Sequence, residues 1–327
     1  MQARHTPAPP PARTTRIWSR ILLSGLFLWV ATVLVTFVTG NTNLVPTIVL
    51  LGSFLVPVTF VAWAYERAHG DNVTVELLFS AFVTAGVLGV LGASLLERLL
   101  LRPSPAMFIG LGAIEEGAKV AALVFVARHM THRTPRDGLV LGATAGFGFA
   151  AFESAGYALN ALVSEQGLNL LALVETEILR GLLTPLGHGL WTAIIGCVLF
   201  AASAGRRWRV TLGVLATFVG VSLLHALWDA AHGIAVRVTM VLTSLPWQER
   251  ELRAGQLPEL TSAQAHMIAL MDWAGLALVS VAGVLWLLWL WSRCPRNGHP
   301  AGSRGGAQPQ RGAREADRPD GDAGING

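Results

Sequence analysis

Long apolar stretches separated by short polar segments dominate this chain of 327 residues. An α-helix needs about 20 consecutive apolar residues to cross the hydrocarbon core of a bilayer, and about eight stretches of that length are present. We therefore predict an all-α fold, a polytopic bundle of transmembrane helices. The predicted spans cover residues 21–39, 45–64, 75–96, 106–128, 138–160, 178–203, 209–235 and 268–291.

The positions of the arginines predict the orientation of this bundle. Most arginines fall at 4–20, 128–136, 206–209 and 293–318, which lie on one side of the predicted spans. Since cytoplasmic loops carry the excess of basic residues, both termini are expected in the cytoplasm of a multi-pass protein of the cell membrane.

Three regions follow from these boundaries. Residues 1–20 are predicted to form a disordered, basic N-terminus, 21–292 the transmembrane domain, and 293–327 a disordered cytoplasmic tail rich in Gly, Arg, Asp and Pro. The loop at 237–266 is mixed in character and is expected to hold a short helix on the outer surface.

The composition narrows the class of protein further. Hydrophobic residues make up 53% of the chain and charged residues 13%, against about 25% charged in an ordinary soluble domain. The pI near 9.8 does not indicate a nucleic-acid partner, because the basic residues lie between and outside the spans; the lipid bilayer is the expected partner. Cys197 and Cys294 indicate neither a disulfide framework nor a cysteine-type zinc site.

Charged residues interrupt the fourth predicted span. Glu115, Glu116 and Lys119 lie in its middle, and Lys119 is the only lysine in the chain. A charged residue at mid-bilayer costs about 2.5–3.5 kcal/mol on insertion scales, so such residues usually have a function. Lys119 can neutralise either glutamate at i+4 or i+3 spacing. The glutamates diverge by about 100° on the helix, so we expect them to have different roles.

The next three spans carry further ionisable residues. Gly142, Gly146 and Gly148 in the fifth span predict close helix packing, and Pro185 predicts a break in the sixth. With a rise of about 1.5 Å per residue, polar side chains from four spans reach one layer between the outer boundary and the midplane. These are Glu115, Glu153, His188, His225 and Asp229.

Carboxylates and histidines around one water molecule favour hydrolysis. They can polarise the water for attack on a carbonyl, or bind a divalent metal such as Zn²⁺ that activates it. Candidate metal ligands are His188, His225 and Glu153, and a metal-free reaction stays open. Lys119, Asp229 and Arg180 are candidate supporting residues; Arg180 either anchors the helix at the boundary or holds a substrate carbonyl or a site carboxylate. The sequence contains no G-x-S-x-G elbow, the motif that would favour a serine nucleophile.

Four motifs, in order on successive spans, resemble the PrsW family of intramembrane proteases. They are E-E-x-x-K at Glu115–Lys119, F-x-x-x-E at Phe149–Glu153, the stretch Arg180–Thr192, and H-x-x-x-D at His225–Asp229. The resemblance covers about 106–235 and is related to the clan of membrane endopeptidases that process CAAX proteins and bacteriocins.

The resemblance implies cleavage of a peptide bond in a membrane-anchored protein substrate, for example an anti-sigma factor. It implies that catalysis falls to Glu115, Glu116, His188 and His225, the glutamates activating water.

Two other functions remain open from the residues alone. Glutamate and histidine chains at mid-depth also serve proton- or ion-coupled transporters, although these often show inverted repeats, and none is evident here. A non-catalytic membrane adaptor that retains an old fold is the other alternative.

Overall fold

The computed structural model describes residues 16–67, 72–104, 106–164, 167–203 and 207–293. These residues are almost entirely α-helical, with two two-residue strands, β1 (Val163–Ser164) and β2 (Gly167–Leu168), that form an antiparallel hairpin. Most of the two regions predicted to be disordered, 1–20 and 293–327, falls outside the described residues; the parts that are described include the start of α1 from Ile17 and the end of α11 at Arg293, which are helical. The helices are α1 (Ile17–Thr39), α2 (Val45–Arg67), α3 (Val75–Val83), α4 (Val90–Leu100), α5 (Met107–Val126), α6 (Pro135–Leu162), α7 (Leu170–Leu183), α8 (His188–Ala202), α9 (Leu212–Thr243), α10 (Pro246–Arg253) and α11 (Ser262–Arg293).

The predicted all-α polytopic bundle is confirmed. Among the described residues, seven helical segments are long and apolar enough to cross a membrane. A π-helical stretch joins α3 to α4 into one such segment, and a 3-10 turn at Thr184–Leu186 joins α7 to α8 at the break that Pro185 predicts. The remaining predicted span is α5, whose three charged residues set it apart from these seven. That α5 crosses the membrane, and that both termini are cytoplasmic, stay predictions.

Helix α6 is the centre of the bundle. In its most apolar window 78% of the residues are buried, against 22% in α1 and 17% in α11. It packs against α8 over most of its length and also against α2, α3 and α7. A buried helix of this kind can place side chains where several neighbours meet.

Glycines let the helices around α6 approach to backbone contact. A Cβ atom built on Gly142 would lie 2.4 Å from the carbonyl oxygen of Thr192, and one on Gly146 would lie 2.1 Å from that of His188. On another face of α6, a Cβ on Gly148 would lie 2.1 Å from a carbonyl oxygen of α3. The predicted close packing at these glycines is therefore confirmed.

A further glycine brings α5 against α9. A Cβ on Gly112 would lie 2.6 Å from the carbonyl oxygen of Ser222 and 3.2 Å from the Cβ of His225. The carboxylates of α5 follow within one turn, at Glu115 and Glu116. This contact therefore sets the distance between those carboxylates and the histidine on α9.

The segment 237–266 holds the predicted short helix, α10, but α9 continues to Thr243, beyond the predicted end at 235. Two buried amides connect the helices here. Gln248 and Gln264 are hydrogen-bonded to each other at 2.9 Å, and Gln264 also donates to the carbonyl oxygen of Thr243 at 3.1 Å. These bonds fix α10 to the ends of α9 and α11. Its position on the outer surface stays a prediction.

The α6–α8 contact predicts an asymmetric response to two alanine substitutions on α6. Gly146→Ala should destabilise the protein by about 1–3 kcal/mol, the usual cost of overpacking, because the new methyl group meets the backbone at His188. Gly156→Ala is the matched control, since nothing lies within 4 Å of a Cβ there. Thermal unfolding in detergent measures both, and equal stabilities would contradict the packing described.

Candidate active site

A single buried ammonium group joins the ionisable residues of the bundle. Lys119 Nζ lies 2.8 Å from Glu116 Oε1, 3.2 Å from Glu115 Oε2 and 2.8 Å from His188 Nδ1. The side chain of Lys119 is fully buried, and its ammonium also lies 4.1 Å from the centre of the Phe149 ring. Residues of α5, α6 and α8 therefore share one positive charge.

Both oxygens of Glu116 are engaged. Oε1 accepts from Lys119 and faces His225 Nδ1 at 3.0 Å, and Oε2 accepts a hydrogen bond from Thr192 at 3.2 Å. Glu116 is also fully buried. Its carboxylate thus connects α5, α8 and α9, and no oxygen is left to face a substrate.

Glu115 occupies a different environment, as the angle between the two glutamates predicts. Its Oε2 lies 3.6 Å from His225 Nε2 and 4.0 Å from His188 Nδ1. One donor atom from each of Glu115, His188 and His225 can be chosen so that all three lie within 4.8 Å of one another. The two histidine rings are 5.0 Å apart between centroids. These three side chains therefore border one point.

Hydrogen bonding determines which nitrogen of each histidine carries a proton. An ammonium can only donate, so His188 Nδ1 accepts from Lys119 and His188 Nε2 donates to Glu153 at 3.0 Å. A carboxylate can only accept, so His225 Nδ1 donates to Glu116. In neutral His225 the lone pair of Nε2 then points towards the shared point.

Asp229 completes one side of this point. Its Oδ2 lies 3.4 Å from His225 Nε2 and is buried without a hydrogen-bond partner among the described residues. Glu115 Oε2, His225 Nε2 and Asp229 Oδ2 are all acceptors when His225 is neutral. Such a set calls for a shared proton or a cation, because unpaired buried acceptors are costly.

The structure groups Glu115, and not Glu153, with the two histidines. Glu153 instead accepts hydrogen bonds from Arg180 and His188, while Arg180 Nε donates to Ser154 at 2.7 Å. The Arg180 guanidinium also lies 4.3 Å from the ring centre of Tyr157. Of the three roles open for Arg180, this contact fits the one that holds a site carboxylate.

Aromatic rings enclose the polar cluster. Trp191 is fully buried, and its ring lies 4.6 Å from that of His225 and 5.5 Å from that of His188. Phe149 covers the other side of His188 at 5.5 Å. The sequence alone indicates no individual role for Trp191 or Thr192, although both belong to the motif Arg180–Thr192. Thr192 lies one helical turn from His188 and so shares its face.

Two ionisable residues of α9 and α11 lie outside the cluster. His232 Nδ1 pairs with Asp272 Oδ2 at 3.1 Å, and the His232 side chain is 69% exposed. Although His232 lies only three residues after Asp229 on α9, it does not extend the site along the helix.

The chain is similar to proteins of one known family. Residues 73–247, more than half of the chain, match the family described as PrsW family intramembrane metalloprotease. A relative, Protease PrsW of Halalkalibacterium halodurans, is 32% identical over 155 residues, which cover 47% of this chain and 66% of the relative. The chain thus spans slightly less than two thirds of that relative's length. No solved structure matches.

The shared ammonium predicts a strong response to its removal. Lys119→Met should destabilise the protein by about 3–5 kcal/mol, because breaking a buried ion pair leaves an uncompensated charge. Adding Glu116→Gln in the double variant should restore part of that loss, since it removes the charge left unpaired. Thermal unfolding in detergent compares the two variants, and a double variant less stable than Lys119→Met would contradict this arrangement.

Proposed function

The chain belongs to the PrsW family of intramembrane metalloproteases, as the order of its motifs predicts, and is a multi-pass protein of the cell membrane; we propose that it acts as a membrane peptidase. From this premise we propose that it hydrolyses a peptide bond of a membrane-anchored protein at the point bordered by Glu115, His188 and His225. A single-pass regulatory protein such as an anti-sigma factor is the proposed class of substrate.

One observation carries this proposal. A carboxylate and two imidazoles from α5, α8 and α9 present donor atoms within 4.8 Å of one another, inside a bundle of apolar helices. If Lys119 and the two glutamates only neutralised one another for stability, histidines on two further helices would not be required. A proton relay along a transport path would extend the polar residues through the bundle, whereas here they surround one point.

The two glutamates have separate tasks in this proposal. Glu115 acts as the general base, because it borders the shared point. Glu116 orients Lys119 and His225, because its oxygens are occupied by Lys119, His225 and Thr192. The sequence motif alone assigned water activation to both glutamates.

The reaction proceeds by addition and elimination. Glu115 takes a proton from a water molecule while the water oxygen forms a bond to the scissile carbonyl carbon and the C=O π pair moves onto the carbonyl oxygen. That pair then re-forms the C=O bond as the C–N bond breaks with its electron pair on nitrogen, and Glu115 returns the proton to that nitrogen. The products are a carboxylic acid and an amine, and the Glu115 carboxylate is regenerated. His225 Nε2 holds the water in line with the carbonyl, and His188 holds Lys119 beside Glu115 through Nδ1.

The residues present fit a divalent metal of the kind that the family description implies. Two imidazoles and one carboxylate are a donor set of catalytic zinc sites, and the cluster of acceptors around His225 Nε2 suits a cation. Glu115, His188 and His225 would hold it; Glu115 would bind through Oε2, the oxygen that lies near both histidines, and would keep Oε1 for the proton. Such a metal would make its bound water more acidic and polarise the scissile carbonyl.

The exposure of the side chains indicates where a substrate enters. Arg180, Glu153 and Asp229 are 24%, 18% and 26% exposed, whereas Glu115 and His225 are 7% and 1% exposed. The site therefore opens between α6, α7 and α9. We propose that the substrate chain approaches from this side, near the outer face of the membrane.

The proposed roles predict the activity of four variants. Glu115→Gln, His188→Ala and His225→Ala should each abolish cleavage while the protein still inserts and folds, since each removes a group at the reacting point. Asp272→Asn, outside the cluster, is the control and should cleave normally. Cleavage of a tagged single-pass substrate in reconstituted vesicles measures this; cleavage by Glu115→Gln would refute the role of Glu115.

Metal content gives a separate prediction. Protein purified in detergent without chelator should hold about one zinc ion per chain, and His225→Ala should lose it. Asp272→Asn is the control and should retain it, because Asp272 pairs with His232 outside the cluster. Elemental analysis measures both. Full activity of a metal-free sample would assign the reaction to Glu115 and water alone.

A further inference from the structure

A second buried carboxylate lies on α7, outside the proposed site. Glu177 is 4% exposed, and its Oε1 accepts a hydrogen bond from Ser53 Oγ of α2 at 2.7 Å. Its Oε2 has no hydrogen-bond partner among the described residues. None of the motifs that indicate the peptidase includes this residue.

The carboxylate of Glu177 rests directly on the backbone of α2. A Cβ atom on Gly52 would lie 1.1 Å from Glu177 Oε2 and 2.8 Å from Trp29 Nε1 of α1. Any larger residue at Gly52 would displace the carboxylate. Glycine at this position therefore allows α7 to dock against the hairpin formed by α1 and α2.

Helix α7 is held by apolar contacts in its first half and by polar contacts in its second half. Leu173 is fully buried in a cluster with residues of α2 and α6, while Leu171, Ile178 and Leu182 on the outer face are 59%, 49% and 70% exposed. One turn after Glu177, Arg180 binds Glu153 of α6. Two adjacent polar contacts thus hold α7, one to α2 and one to the site.

We propose that Glu177 is a positioning residue of the peptidase. By docking α7 on α2, it sets Arg180 against Glu153, and Glu153 in turn fixes the ring of His188 through Nε2. This inference rests on the proposed function of the cluster. It makes α1 and α2, which lie outside the family match at 73–247, contributors to the geometry of the site.

Stability alone does not account for this residue. A buried carboxylate that keeps one hydrogen bond bears a large desolvation cost, and an apolar residue of similar size often gives equal or greater stability at such a position. Glu177→Leu should therefore leave the fold intact while it releases the rotation of α7.

The first test compares variants of neighbouring residues on α7. Glu177→Leu should lower kcat about ten- to a hundredfold, the usual effect of misplacing a catalytic group, with KM and thermal stability little changed. Glu177→Gln, which retains an acceptor for Ser53, should restore most of kcat. Glu175→Leu is the control, since Glu175 is exposed on the same helix and should cleave normally. A wild-type kcat in Glu177→Leu, or a loss of kcat that follows unfolding, would overturn the proposal.

A double-mutant cycle separates positioning from a general weakening of the fold. Ser53→Ala and Glu177→Leu break the same contact, so the effect of the double variant on kcat should be no greater than that of Glu177→Leu alone. Additive losses would contradict a shared role.

A distance measurement that does not depend on catalytic activity distinguishes this inference from the proposed function. Spin labels at Ile178 on α7 and Leu159 on α6, both exposed, in a chain with Cys197 and Cys294 replaced, report the distance between the helices. Its distribution should broaden in Glu177→Leu and stay unchanged in Glu175→Leu. An unchanged distribution in Glu177→Leu would overturn the inference even where the wild type cleaves, whereas cleavage by Glu115→Gln would overturn only the proposed function.

Discussion

The site depends on one ammonium group held in the interior of a membrane bundle. Lys119 cannot be solvated there, so it must be surrounded by acceptors, and the structure supplies Glu115, Glu116 and His188 from two helices. Each acceptor is then fixed by a further partner. Glu116 binds Thr192 and His225, and His188 binds Glu153. The need to neutralise a single buried charge therefore determines the orientation of nearly every polar group in the cluster.

Close backbone contacts make this arrangement possible. Polar side chains are short relative to the usual separation of 8–10 Å between helix axes, and glycines on α5 and α6 reduce that separation where the cluster forms. Gly112 sets α5 against His225, and Gly142 and Gly146 set α6 against the turn of α8 that carries His188 and Thr192. Packing and chemistry are thus specified by the same segments of sequence.

Much of the fold could be predicted from sequence because the bilayer imposes a strict rule on length and polarity. All predicted spans are helical, and the break at Pro185 and the glycine contacts are confirmed. The ionisable residues at similar depth do meet. The hydrogen-bond partners of each ionisable residue were harder to predict. The depth of a residue in the membrane does not tell in which direction its side chain points about the helix axis. Thus Glu115, and not Glu153, lies with both histidines. Thr192 is marked only by its place in a motif, and Glu177 carries no signal that distinguishes it from an ordinary polar residue of a helix.

A cryo-electron microscopy map of the protein in lipid nanodiscs tests the central claim most directly. The account predicts density for Lys119 between Glu115, Glu116 and His188, with His225 Nε2 and Glu115 facing the same point. A map in which Glu116 and His225 lie on opposite sides of the bundle, or in which His188 faces lipid, would contradict it.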